Sequence, residues 1–206
     1  MEGPLRDPEL RLIETFRWDG SAFVRLEAHL ARARASAGAL GFHWRAAEVD
    51  RALAAVGGPT PLRIRLTIGR EGDADLSSAP LPPAARQWRL AIHPEPIDEG
   101  NPARRHKTTD RALYDRARAA LPAGVDEYLF LNRRGELAEG TITTLFADLG
   151  QGLLTPPLAS GCLPGVLRAD LLASGQAREA VLTADILGKA RLWVGNSLRG
   201  LIPASL

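Results

Sequence analysis

The chain has 206 residues, 45% hydrophobic and 24% charged, the make-up of an ordinary globular protein of one large or two small domains rather than a disordered polymer. Its 26 basic residues face 24 acidic ones, and a formal net charge of +2 argues against a dedicated nucleic-acid or membrane surface. A single cysteine, Cys162, excludes an internal disulfide, and no Cys/His cluster suggests a metal. With neither a signal peptide nor a bilayer-length apolar run, the cytoplasm is the expected compartment.

In chain order, "LRLIETFRW" (10–18) has strand character, and "AFVRL" (22–26) could return beside it as a hairpin. Residues 26–40 place Leu26, Leu30, Ala33, Ala37 and Leu40 on one helical stripe that Gly41 ends, and 46–56 repeats the period with Val49, Leu53 and Val56. "PLRIRLTIG" and "QWRLAIHP" alternate apolar and polar residues, which predicts two strands of an antiparallel sheet in the first half. The acid-, Ser- and Pro-rich "EGDADLSSAPLPPAA" between them reads as a surface loop. "HPEPIDEGNPA" (93–103) reads as a linker, dividing the chain near residue 98 into an N-terminal domain, 1–98, and a C-terminal domain, 99–206.

In the second half, Thr109 is the expected cap of a short helix over 110–121 with Leu113, Ala117 and Leu121 inward. "DEYLFLN" and "ELAEGTITTLFADL" read as strands around the turn "NRRG", and "LGQG" turns into "LLTPP". "CLPGVLRADLLASG" feeds a helix that ends at Gly175, and "RLWVGNS" (191–197) is a last strand. Strands mixed with peripheral helices predict an α+β fold.

Only two of the basic residues are lysines, Lys107 and Lys189. Lysine can lose its proton and form an imine where arginine does not, so a lysine inside "RRHKTTDR" is a candidate Schiff-base former, set against the ordinary reading of a solvated surface cation. Lys189 has no reactive neighbour in sequence and reads as surface. Glu139, in the apolar and Thr-rich "LAEGTITTLF", needs a partner if buried, and a pyridinium N–H would be one; the ordinary alternative is a glutamate at an exposed strand end, paired with an arginine. "LPGVLR" sets a glycine at a helix start, where free N–H groups favour phosphate, and "GNSLRG" offers Asn196 and Ser197 with Arg199 behind them, or simply a turn. One amine, one embedded carboxylate and two anion cradles together meet the needs of pyridoxal 5'-phosphate.

These blocks, with "IETFR", "LEAHLARARASAGALGF" and "LWVGNSLRGLIP", occur in the order seen in class IV aminotransferases, the fold type IV pyridoxal-phosphate enzymes, and the chain resembles that family over residues 10 to 206. The resemblance implies a two-domain α+β fold like that of D-amino-acid aminotransferase, with mixed and antiparallel sheets, the site between the domains, the C-terminal domain binding the cofactor, and a homodimer. It implies that Lys107 carries pyridoxal phosphate and that Glu139 pairs with the pyridine nitrogen. Arg32, the N–H groups of Val166 and Leu167, and the polar groups of Asn196 and Ser197 match the phosphate site. His29, Arg32 and Ser36 share one helical stripe at i, i+3 and i+7.

Within the family, "KTTDR" is similar to the Lys-x-x-Asn-Arg block of the 4-amino-4-deoxychorismate lyases, with Asp110 for the asparagine, whereas Ala112 stands where branched-chain aminotransferases carry a tyrosine. Thr144 replaces an asparagine common after the glutamate. The expected reaction forms 4-aminobenzoate and pyruvate, a step toward folate. Lys107 is the expected proton carrier, Arg111 and Arg199 are candidates for the substrate carboxylates, and an aminodeoxychorismate synthase is the expected supplier. The alternative is a class IV aminotransferase of branched-chain or D-amino acids. The remote one is an RNA-binding module using Arg104, Arg105 and His106.

Overall fold

A computed structural model describes residues 7–206, which contact one another as two compact units: the described residues up to Pro83 together with His106–Asp110, and Ala84–Arg105 together with Arg111–Leu206.

In the first unit, β1 (Leu12–Trp18), β2 (Leu62–Ile68) and β3 (Ala74–Pro80) form an antiparallel sheet in that order. Period-two alternation puts Leu12, Glu14 and Phe16 on the same face as Ile64, Leu66 and Ile68, and this face packs with α1 (Leu26–Leu40) and α2 (Ala46–Ala54). The helical stripe 26–40 is found as expected, and Gly41 closes it in the left-handed conformation, φ 70°, that glycine adopts freely. Only an isolated bridge, Trp18 with Phe23, remains of the expected hairpin, because β1 takes β2 as its partner. Residues 74–80 are a strand rather than the expected loop, since β2 supplies the pairing that their sequence does not advertise. The outer edge of β1 is covered by 107–109: Ile13 N donates to Lys107 O and Thr109 N to Arg11 O.

The second unit is built on one eight-stranded mixed sheet. Its strands are β4 (Trp88–Ile92), β5 (Glu127–Leu131), β6 (Leu137–Gly140), β7 (Thr144–Asp148), β8 (Leu153–Thr155), β9 (Ala177–Glu179), β10 (Arg191–Asn196) and β11 (Gly200–Ser205), in the order β6-β5-β4-β11-β10-β7-β8-β9. Four strands separate β6 from β7 in the sheet, yet only three residues join them in the chain, so the sheet must curl. A core around Leu129, Leu137, Leu145, Val194 and Ile202 fills the curl, and α3 (Ala112–Ala119) and α4 (Val166–Ala173) complete the unit.

Three expectations are corrected here. β4 does not join β2 but pairs in parallel with β5 and β11. Residues 93–103 are tied down rather than free, with Ile97 buried and its N–H bonded to Leu131 O. Thr109 does not cap α3, because its hydroxyl accepts from Arg11 N and its own N–H serves the β1 edge; Arg111 stands at the cap instead. The α+β class with mixed and antiparallel sheets is as expected.

Candidate active site

Glu14 lies on the core-facing side of β1, where an unpaired carboxylate would be costly. α1 answers it with two side chains one turn apart: His29 Nδ1 lies 2.5 Å from Oε2, while Arg32 donates Nε to Oε1 at 2.9 Å and Nη2 to Oε2 at 2.6 Å. Burial pushes the Glu14 carboxyl up, but the His29 hydrogen bond and the Arg32 charge prevail and hold it below the ordinary range. The fork fixes the Arg32 guanidinium. One turn on, Ser36 Oγ meets His106 Nδ1 at 3.0 Å, so the stripe His29, Arg32, Ser36 runs from Glu14 to the segment that bears half-buried Lys107. Burial lowers the pKa of His106.

In the second unit Glu139 is buried near the end of β6, opposite Phe130. Its Oε1 accepts from Arg104 Nη2 at 2.9 Å and from the Tyr114 hydroxyl in a short contact, and its Oε2 accepts from Leu163 N at 2.9 Å. Burial raises the Glu139 pKa above the usual carboxylate value, with Arg104, Tyr114 and Leu163 N pulling the other way. Tyr114 is itself pushed well up by burial and by the Glu139 charge. Arg111 lies 5.2 Å from the Tyr114 ring centre and donates Nη2 to Thr141 O at 2.9 Å, which makes it part of the same cluster.

α4 begins at Val166 behind Gly165 without a side-chain cap, so its first N–H groups have no partner within the helix. A Cβ at Gly165 would lie 2.9 Å from Thr144 Oγ1, and one at Gly195 would lie 2.7 Å from Gly200 O and 2.9 Å from Leu167 Cδ2. Glycine is therefore what lets the end of β10 and the start of β7 close on the first turn of α4. The β10–β11 turn adds Asn196, whose Nδ2 donates to Ile142 O at 3.1 Å and whose Oδ1 accepts from Arg199 N at 3.0 Å, and buried Ser197. The Arg199 guanidinium lies 5.4 Å from the Trp88 ring centre.

These donors suit pyridoxal phosphate. The helix start, uncapped by any side chain and closely packed at its glycines, has the N–H chemistry that a phosphate would take. A pyridinium N–H at Glu139 Oε2 would add a donor acting in the same direction as Arg104. Among the described residues no His/Cys/Asp/Glu group could hold a metal, and no helix is long and apolar enough to cross a membrane.

Sequence reading passed over Arg104 and Tyr114 as members of the Glu139 cluster, and Glu14 as the residue that orients Arg32. For Glu14 a signal existed, a carboxylate at a core-facing strand position, whereas nothing sets Arg104 apart from the other arginines.

The chain belongs to the class IV aminotransferase family, whose model, described as "Amino-transferase class IV", matches residues 11–206. It is accordingly a pyridoxal-phosphate-dependent enzyme, a lyase or an aminotransferase, with the fold of the type IV enzymes. It is 30% identical over 178 residues, 83% of this chain and 77% of the other, to a Schizosaccharomyces pombe protein named "Putative aminodeoxychorismate lyase". Among solved structures, a "Putative amino-acid aminotransferase" from Mesorhizobium loti is 47% identical with a TM-score of 0.92, covering 96% of this chain and 100% of that one. The 4-amino-4-deoxychorismate lyase of Pseudomonas aeruginosa is 25% identical with a TM-score of 0.78, covering 94% and 82%.

Proposed function

We propose that the protein is a lyase that converts 4-amino-4-deoxychorismate to 4-aminobenzoate and pyruvate. The observation that carries this reading is the 30% identity over most of both chains to a protein named as such a lyase, joined by the "KTTDR" block around Lys107. Pyridoxal phosphate, when bound, supplies an electron sink beside the substrate nitrogen. In this reading Lys107 carries the cofactor and, as a neutral amine, takes the proton from the carbon bearing nitrogen and returns one to the departing enolpyruvyl group. Glu139 keeps the pyridine nitrogen protonated. The N–H groups of Val166 and Leu167, the polar groups of Asn196 and Ser197, and Arg32 held by Glu14 bind the phosphate. Arg111 and Arg199 receive the substrate carboxylates. A homodimer, a cytoplasmic location and an aminodeoxychorismate synthase as supplier go with the same reading.

The 47% identity to the Mesorhizobium loti protein favours a second reading, an amino-acid aminotransferase using the same Lys107. One experiment separates the two. The parent loaded with pyridoxal phosphate should show a visible absorbance band that Lys107→Ala lacks, and should release 4-aminobenzoate from aminodeoxychorismate with no keto acid present. Turnover that appears only when a keto acid is supplied, with no 4-aminobenzoate formed, would overturn the lyase in favour of the aminotransferase.

A further inference from the structure

Glu127 is a carboxylate with no exposed surface, and neither the cofactor nor the substrate reading uses it. It stands at the start of β5, two residues before Leu129, the partner of Gly140, and thus faces the loop 141–143 beyond the end of β6. The β5–β6 ladder stops at Leu129 and Gly140, and beyond it the Glu127 carboxylate takes the loop's donors. Oε1 accepts from Thr141 N at 3.1 Å, Thr141 Oγ1 at 2.5 Å and Tyr128 N at 3.1 Å, with Arg118 Nη1 at 3.5 Å; Oε2 accepts from Ile142 N at 3.2 Å and Thr143 Oγ1 at 3.0 Å. Gly140 makes the approach feasible, since a Cβ there would lie 2.3 Å from Thr143 Oγ1 and 2.9 Å from Glu127 Oε2.

With the N–H groups of Thr141 and Ile142 turned toward Glu127, these two residues offer their carbonyls elsewhere. Thr141 O receives Arg111 Nη2, and Ile142 O receives Asn196 Nδ2. The loop also joins Glu139, one residue before Gly140, to Thr144 beside Gly165. We infer that Glu127 is a positioning residue that sets the cofactor's phosphate cup by clasping loop 141–143 and, through the Ile142 carbonyl, orienting Asn196. The inference rests on the reading of Asn196 as a phosphate ligand.

The test is a double-mutant cycle on the full chain, titrating apo-protein calorimetrically with pyridoxamine 5'-phosphate and following the bound phosphorus resonance. Glu127→Gln replaces an acceptor-only group by one that presents an NH2 to the same donors, and it should weaken binding about tenfold, as should Asn196→Ala. In the Asn196→Ala background, Glu127→Gln should weaken it by less than about twofold, and both single variants should move the phosphorus resonance in the same direction. A merely structural role would lower thermal stability in every background while the two affinity losses multiplied to about a hundredfold, and that result would overturn the inference. Should Asn196→Ala bind as tightly as the parent, the phosphate role of Asn196 fails and takes the inference with it, a pattern distinct from multiplied losses. Thr143→Val, which removes one donor without changing shape, keeps the question open to measurement if Glu127→Gln does not fold. It should weaken binding about threefold with the same loss of effect beside Asn196→Ala, and unchanged affinity counts against the clasp.

Discussion

Removing the Arg104 charge should make the stability of the cofactor-free protein more sensitive to alkaline pH. Arg104 and Glu139 side chains are each only 9% exposed, so Arg104→Met leaves a buried carboxylate without its counter-charge, a change that costs about 3 kcal/mol where that carboxylate is ionised. The substitution also removes the Arg104 Nε bond to Gly161 O, worth about 1 kcal/mol at any pH. Burial already raises the Glu139 pKa above its ordinary 4.5, so the folded state binds this proton more tightly than the unfolded chain. That contribution to stability is therefore present below pH 4.5 and declines as pH rises through the folded value. Without Arg104 the folded value rises further, each added unit widening the decline by roughly 1.4 kcal/mol. Urea unfolding of parent and variant at about pH 5 and about pH 8 should give a deficit of ~1–2 kcal/mol at the lower pH and ~4 kcal/mol at the higher. A deficit equal at both, or larger at the lower pH, would refute the account of Glu139 as a buried carboxylate held by Arg104.

Two further predictions follow from the site's frame. Glu14 has a lowered pKa, so its stabilisation is present above 4.5 and lost as pH falls through the folded value; Glu14→Gln should cost about 3 kcal/mol near neutrality and progressively less as pH falls from 4.5 toward the folded value, measured by urea unfolding. Gly195→Ala drives a methyl group against Gly200 O and Leu167 Cδ2, and should cost about 1–3 kcal/mol in unfolding free energy while weakening pyridoxamine phosphate binding by calorimetry.

Elements with a one-sided apolar pattern could be read directly. The stripe of α1 and the alternation of β2 are written in their own residues, and both stand where expected. Strands defined by their partners could not. β3 carries Ser77, Ser78 and Pro80 with no buried position and owes its form to β2. β11, unanticipated, includes Pro203, which lacks the N–H a ladder asks for. The alternation of β4 was legible, but its parallel neighbours lie more than thirty positions away in sequence. The site divides in the same way. Lys107 and Glu139 stand out by chemical type, an amine among arginines and a carboxylate among apolar residues. Arg104, Tyr114 and Glu127 matter through what the folded chain sets beside them, which composition and spacing do not record.

The segment His106–Asp110 is claimed by contacts with the first unit although the chain on either side of it belongs to the second. Neither unit can therefore be inherited or exchanged as a single uninterrupted cassette. A fragment ending at Pro83 would leave bare the β1 edge that 107–109 covers, an open template for self-association, and a fragment starting at Ala84 would carry Lys107 away from the strand that anchors its backbone. Recombination between relatives that cuts the chain once, at the apparent seam, would set the five-residue insert of one parent against the β1 of the other, and its side-chain contacts there would then have to suit a strand they did not arise with.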